Sequence, residues 1–228
     1  MSCPNPREHN SPEIPTGNVV YIVGPSRLQN EAIASCLERE TAHECFFLED
    51  FKDIPQEDSE NRRRPRLVLL DCKGKDPERI LAEVRPFLKE KQFGNHVVLF
   101  NARSDQGIEK ECVFEGIEGF FYEQDPLDIL MKGVKAIFKG EIWLSREIMT
   151  KCIREGARRD TAQDGARAII TPRQIEILAL VAVGASNDDI AERLHISPHT
   201  VKTHLYNIFK RIRVPNRMQA ALWAAKNL

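Results

Sequence analysis

Between residues 18 and 140, short and wholly apolar runs alternate with stretches of helical period, and no other feature restricts the fold as much. "VVYIVG" (19–24), "RLVLLDC" (66–72) and "HVVLFNA" (96–102) lack the polar/apolar alternation of a half-exposed strand. A strand that is apolar on both faces is buried on both, as in a parallel sheet covered by helices on each side. "ECFFLE" (44–49) and "GIEGFFYE" (116–123) read as two further strands. Helices are expected over 27–40, where Leu28, Ala32, Cys36 and Leu37 recur at helical spacing, and over 77–91, with Pro86 forcing a kink or an early stop. Two more are expected near 104–114 and over 125–140, the latter with Pro126 at its start and Gly140 at its end. The pattern predicts an α/β, flavodoxin-like fold, a doubly wound five-stranded parallel sheet. The "NRRRPR" run (61–66) falls before the third strand and reads as a solvated loop.

Outside that region the pattern changes. Residues 1–17 are Pro-rich and polar, which predicts a disordered tail, and their lack of an apolar stretch argues against a secretory signal. The α/β domain is expected over 18–153, with an additional helix opening in "GEIWLSREIM" (140–149) that Ser145 can cap. The polar stretch 154–167 reads as a linker, and 168–228 as an all-α domain. Six cysteines without CxxC spacing predict a reduced, cytoplasmic protein, with Cys36, Cys45, Cys72, Cys112 and Cys152 as core residues and Cys3 in the tail. No apolar run approaches the ~20 residues of a membrane helix, so no membrane partner is expected.

Charge separates the two domains. From Gly165 onward Lys and Arg outnumber Asp and Glu nine to four, whereas the preceding chain carries 24 against 30. A basic end on an acidic body suits a polyanion at that end. Thr171 as N-cap, Pro172 and Gly184 bracket one helix with an apolar stripe at Ile175, Leu178, Ala179, Ala182 and Val183. "SNDDIAERL" is a short second helix, and "HIS" turns the chain into a third over 198–212. In that third helix Val201, Leu205, Ile208, Phe209 and Ile212 share the inward face, leaving His199, Lys202, Thr203, Tyr206 and Lys210 outward. From His195 to Leu228 there are six Lys/Arg and no acid, so the outward face suits phosphates and major-groove base edges. This is a helix-turn-helix.

The segment from "TPRQIEIL" through "GASN", "IAERL", "TVKTHLYNIFKRI" and "NRMQAALWA" resembles the DNA-binding domain of LuxR/FixJ/NarL-type regulators. The resemblance implies that Lys202, Thr203 and Tyr206 face bases. It implies that Ser186, Asn187, Thr200, His204, Asn207 and Lys210 position the domain or touch phosphate. Asp188 departs from the family, many of whose members have Lys there, and removes a phosphate contact. The last helix, with Met218, Ala221, Leu222 and Ala225 on one side, would be the surface of a homodimer on double-stranded DNA.

The same resemblance makes the α/β domain a receiver. Phosphoryl transfer needs carboxylates for a divalent ion, an acceptor Asp, a hydroxyl and a lysine. Asp71 stands at the acceptor position, but Val23, Gly24 and Pro25 supply no acids, Asn101 replaces the hydroxyl and Glu123 replaces the lysine. The receiver is therefore read as degenerate, with no metal expected. Trp143, Leu144, Ser145 and Arg146 match the four-residue pattern of VpsT-like regulators that bind cyclic di-GMP, within the VpsT/CsgD group. Arg146 can stack on guanine and fork to phosphate, Ser145 can donate to phosphate, and Trp143 offers an aromatic wall. Leu and Ser also recur at this point in the wider family, where they dock and cap the helix. The reading is a transcriptional regulator controlled by cyclic di-GMP and dimerisation, acting on biofilm-matrix genes. The alternatives are phosphorylation at Asp71, or a receiver gated by a protein partner. No nucleophile–base pair or phosphate loop points to an enzyme.

Overall fold

All five apolar runs form strands: β1 Val19–Val23, β2 Glu44–Leu48, β3 Arg66–Asp71, β4 Asn95–Ala102 and β5 Gly119–Tyr122. The computed structural model describes residues 18–55, 65–89, 95–104, 107–159 and 170–228. Tail residues 1–17, arginines 62–64 and linker residues 160–167 lie outside them. The strands pair in parallel in the order β2-β1-β3-β4-β5, the flavodoxin-like order, with Val20 opposite Leu67 and Leu69 opposite Val98. Successive side chains alternate between two cores. Tyr21, Val68, Leu70, Val97 and Leu99 lie under α2 (Pro77–Lys89), α3 (Glu109–Glu115) and α5 (Arg146–Arg159). Ile22, Leu67, Leu69, Val98 and Phe100 lie under α1 (Arg27–Glu40) and α4 (Leu127–Phe138). Each such Leu, Ile or Val stabilises the sheet by about 1.5–3 kcal/mol.

Several boundaries differ from the sequence expectation, each for a visible reason. In α1 the buried residues are Asn30, Ile33, Ala34 and Leu37, while Leu28 is 81% exposed. Asn30 turns inward because its amide donates to the Gly24 carbonyl at 2.9 Å, and that rotates the helix away from the Leu28 stripe. Pro86 neither stops nor ends α2, which continues to Lys89. Pro86 and Ala82 are both exposed, so the carbonyl deprived of its donor is open to water. Pro126 is the N-cap of α4 rather than its first residue. Between β2 and β3 the described residues hold only a 3-10 turn, Phe51–Asp53. The additional helix α5 runs on through 154–159, which the sequence reading gave to the linker. Its inner side buries Ile148 and Cys152, and Glu155 pairs with Lys110 of α3 at 2.6 Å.

The C-terminal helices are α6 (Pro172–Ala182), α7 (Asn187–Leu194), α8 (Pro198–Ile212) and α9 (Arg217–Asn227). Thr171 and Gln174 form a capping box at the start of α6. The α6 stripe is offset from the expected one. Gln174, Ile177, Leu178 and Val181 are buried, and Ile175, Ala179, Ala182 and Val183 are exposed. Gln174 takes an inner position because its carbonyl also accepts from Arg211 at 3.1 Å. Cys72, Cys112 and Cys152 are buried, while Cys36 and Cys45 are half-buried. Among the described residues no helix is long and apolar enough to cross a membrane.

Candidate nucleic-acid interface and ligand motif

The helix-turn-helix is built by local capping. Ser186 caps α7, accepting from the Asp189 amide at 3.1 Å, while the Asp189 carboxylate receives both the Ser186 amide (2.8 Å) and hydroxyl (2.7 Å). Those bonds hold the Asp189 carboxyl below the usual carboxylate range. His195 ends α7 in the left-handed conformation, φ 52°, and Ser197 caps α8 by accepting from the Thr200 amide at 3.0 Å. Val201, Leu205, Ile208 and Ile212 are buried in α8, with Phe209 partly so. Thr203, Asn207 and Lys210 are exposed; Thr200, Lys202, His204 and Tyr206 are half-exposed.

One of the expected DNA-contacting residues is bonded to the receiver instead, and the charge of a second acts on a receiver histidine. Asn187, 3% exposed, donates its backbone N–H to the Lys139 carbonyl at 3.1 Å, just past α4. Lys202 lies close enough to His43, at the start of β2, for its charge to help hold that imidazole below 6.5; burial is the larger cause and Lys135 contributes. Burial likewise lowers Lys202, opposed by Asp188, the residue where the family resemblance leads one to expect Lys.

The rest of the domain contact was not legible in the sequence. Asn216 caps α9 through Oδ1, which accepts from the Gln219 amide at 3.0 Å, while its Nδ2 donates to the Val113 carbonyl of α3 at 2.7 Å. Gln219 donates to the Phe114 carbonyl at 2.9 Å. Arg217 reaches the Asn187 side-chain oxygen at 3.0 Å and the Ala185 carbonyl. Burial brings its guanidinium down to about 10, against the opposing charges of Glu141, Glu118 and Asp189. Met218, expected on a dimer surface, is 5% exposed within the receiver core; Ala221 and Leu222 are half-buried and Ala225 is exposed. The only local signal among these was Asn216 as an N-cap.

Asp71 is closed off from solvent. It is 1% exposed, and a Cβ added at Gly24 would lie 2.5 Å from its own Cβ. One carboxylate oxygen accepts from the Asn101 amide at 2.8 Å and the Lys73 N–H at 2.9 Å; the other has no partner among the described residues. The residue expected to be a hydroxyl is thus an amide already bonded to the acceptor. Glu123 is exposed, and no group of acids, histidines or cysteines suited to a metal occurs among the described residues.

The Trp143–Arg146 motif lies along the outer edge of β5. The Trp143 N–H donates to the Glu118 carbonyl at 2.9 Å, and the Phe120 N–H donates to the Trp143 carbonyl at 3.1 Å. Alternation then sends neighbouring side chains to opposite sides of the sheet. Trp143, half-buried, packs on Phe121 (ring centroids 6.0 Å apart) and against Gly133 of α4. Leu144 packs with the opposite core. Ser145 caps α5, accepting from the Ile148 amide at 3.3 Å, and lines a polar cavity of about 310 Å³ with Tyr122, Lys110 and Lys151. Arg146 is exposed, and its guanidinium has no partner among the described residues. The four side chains therefore do not converge on one concave site within a single chain. Met149 and Ile153, exposed at 37% and 47%, continue the Arg146 face along α5.

Residues 168–224 match the family model "Bacterial regulatory proteins, luxR family", and residues 25–146 match "VpsT-like, receiver domain". The CsgBAC operon transcriptional regulatory protein of Escherichia coli (strain K12) is 33% identical over 163 residues, 71% of this chain and 74% of that protein. The nitrate/nitrite response regulator protein NarL of the same strain is 30% identical over 161 residues, 70% of this chain and 73% of that one. The crystal structure of the regulatory domain of CsgD, a master biofilm regulator, shares the fold, with a TM-score of 0.50 at 18% identity; the match covers 60% of this chain and 99% of that one.

Proposed function

Because the chain belongs to the LuxR family of bacterial regulatory proteins and carries a VpsT-like receiver domain, we propose that cyclic di-GMP, rather than phosphorylation, controls its binding to DNA. It is a LuxR-type DNA-binding transcriptional regulator related to the CsgBAC operon regulator. The finer reading is a cytoplasmic, non-enzymatic homodimer acting on biofilm-matrix genes.

The observation that carries this reading is the state of Arg146. It stands exposed and unpaired among the described residues, at the start of a helix that the neighbouring Ser145 hydroxyl caps. Arginine held this way suits a ligand offering guanine edges and phosphates, since its fork matches both in a bidentate manner. The spread of the motif across the β5 edge also supports a dimer. Small-molecule sites normally bury about 70–90% of their ligand, and an open edge achieves that only when a second copy covers it. The apolar Met149 and Ile153 next to Arg146 suit such a cover. The buried Asp71, bonded to Asn101, disfavours phosphoryl transfer. A two-fold dimer would set DNA half-sites about 34 Å apart.

Calorimetric titration with cyclic di-GMP tests the reading. Wild-type protein is expected to bind at micromolar concentration and Arg146→Ala not at all. Equal heats from both would remove Arg146 from the site. No binding by wild type would return the motif to a docking turn.

A further inference from the structure

The polar cavity of about 310 Å³ that opens between α3, the end of β5 and the start of α5 holds a carboxylate that the chain leaves unbalanced. Four charged side chains line it, and three of them are already engaged. Lys110 pairs with Glu155 at 2.6 Å, and Lys151 pairs with Glu147, one turn before it, at 2.7 Å. The fourth is Glu109, the first residue of α3, which is 8% exposed and has no hydrogen-bond or ion-pair partner among the described residues. It does act on Lys151, but Glu147 pulls on that ammonium more strongly. A carboxylate withdrawn from water is stable when a cation or hydrogen-bond donors meet it. Neighbouring groups register its uncompensated charge. The Tyr122 phenol, on the same cavity wall, is pushed up to about 12, by burial first and by Glu109 next. The Cys112 thiol, further along α3, is moved the same way in the same order.

We propose that this cavity is a binding site for a small primary amine, whose ammonium group sits on Glu109. An ammonium is a compact cation with three donors. One of them serves the carboxylate, and the hydroxyls of Tyr122 and Ser145, on the same wall, are acceptors for the others. The volume lies at the small end of the range for ligand sites, which suits an aliphatic amine rather than a nucleotide. A second amino group, as in a diamine, would meet Glu147 in the place of Lys151, whose pair is exposed at 61% and 77% and so easily exchanged. An anionic ligand is disfavoured, because both lysines are bonded to glutamates and a phosphate would face Glu109. The site is separate from the cyclic di-GMP reading. It shares Ser145 with the motif, but Arg146 does not line it and Trp143 packs in the core on the other side of the sheet.

Putrescine and spermidine, titrated by calorimetry into the full-length chain at physiological salt, test this, and NMR of the labelled wild type locates what binds. At least one of the two is expected to bind with one-to-one stoichiometry and to move the Tyr122 ring and the Gly107 amide, which lines the same cavity. Glu109→Gln keeps the shape of the side chain and removes its charge, so it should weaken binding by about tenfold or more. Glu78→Gln, which neutralises an exposed acid on α2, and Arg146→Ala should leave the affinity unchanged. No binding of either amine by wild type would overturn the proposal. Equal affinity in Glu109→Gln, or wild-type shifts confined to residues away from the cavity, would overturn it by showing that the amines only screen an acidic surface. A loss in Arg146→Ala as large as that in Glu109→Gln would overturn it as a separate site and give the cavity to the motif. Cyclic di-GMP takes no part in these titrations, so a failure of that reading leaves their outcome untouched.

Discussion

Replacing Asn216 by Asp separates two jobs that one side chain performs. Its Oδ1 caps α9 and its Nδ2 donates to the Val113 carbonyl across the domain contact, at 3.0 and 2.7 Å. Asp is as good an N-cap as Asn, so α9 keeps its cap. The second carboxylate oxygen then faces a carbonyl. The lost hydrogen bond costs about 1 kcal/mol, and burying that carboxylate oxygen without a donor costs about 1–3 kcal/mol more, while the Val113 carbonyl itself keeps the Gly116 N–H at 3.2 Å. Docking of the domain should weaken by about 2–4 kcal/mol, or roughly 30- to 700-fold. The Asn187 amide reports on this directly, because its bond to the Lys139 carbonyl exists only while the domains are docked. In NMR-detected hydrogen exchange it should lose protection, while amides inside α6, such as Leu178, keep theirs. Unchanged protection at Asn187 would show that the Val113 bond contributes nothing to docking. Equal loss at Leu178 would show that the cap argument is wrong and the whole C-terminal domain has been destabilised.

Two further outcomes are expected. Gly133→Ala puts a Cβ 2.4 Å from the Phe121 ring and 2.9 Å from the Trp143 indole, so overpacking of about 1–3 kcal/mol should exceed the ~1 kcal/mol gained in helix propensity; greater resistance to urea would contradict this. Burial, with Lys135 and Lys202, holds His43 below 6.5, so the unfolded chain takes up its proton first as pH falls. The contribution of neutral His43 to stability is then complete above 6.5 and is lost as pH falls through its lower folded value. His43→Gln should flatten that part of a stability–pH curve, and an identical slope in the variant would exclude His43 as its source.

The sheet was legible because its strands are apolar on both faces, and no other arrangement buries all of "RLVLLD" and every residue of "HVVLFNA" but His96 and Asn101. The helix faces were less so. In α1 and α6 a polar residue occupies the buried side for a bonding reason, Asn30 for the Gly24 carbonyl and Gln174 for Thr171 and Arg211. A reading that equates inner with apolar therefore rotates both helices. The Trp143–Arg146 motif was found as a word, but not its splitting across the β5 edge, which depends on a strand pairing formed by one residue. The domain contact was hidden altogether. It rests on single polar residues far apart in sequence, such as Asn216 with Val113 and Asn187 with Lys139, and leaves no periodicity to read.

The most direct measurement is the DNA affinity of the wild-type chain across a titration of cyclic di-GMP. The account predicts an affinity that rises with ligand and saturates, and that stays flat for Arg146→Ala. A wild-type chain that binds DNA equally well with and without the ligand would contradict it.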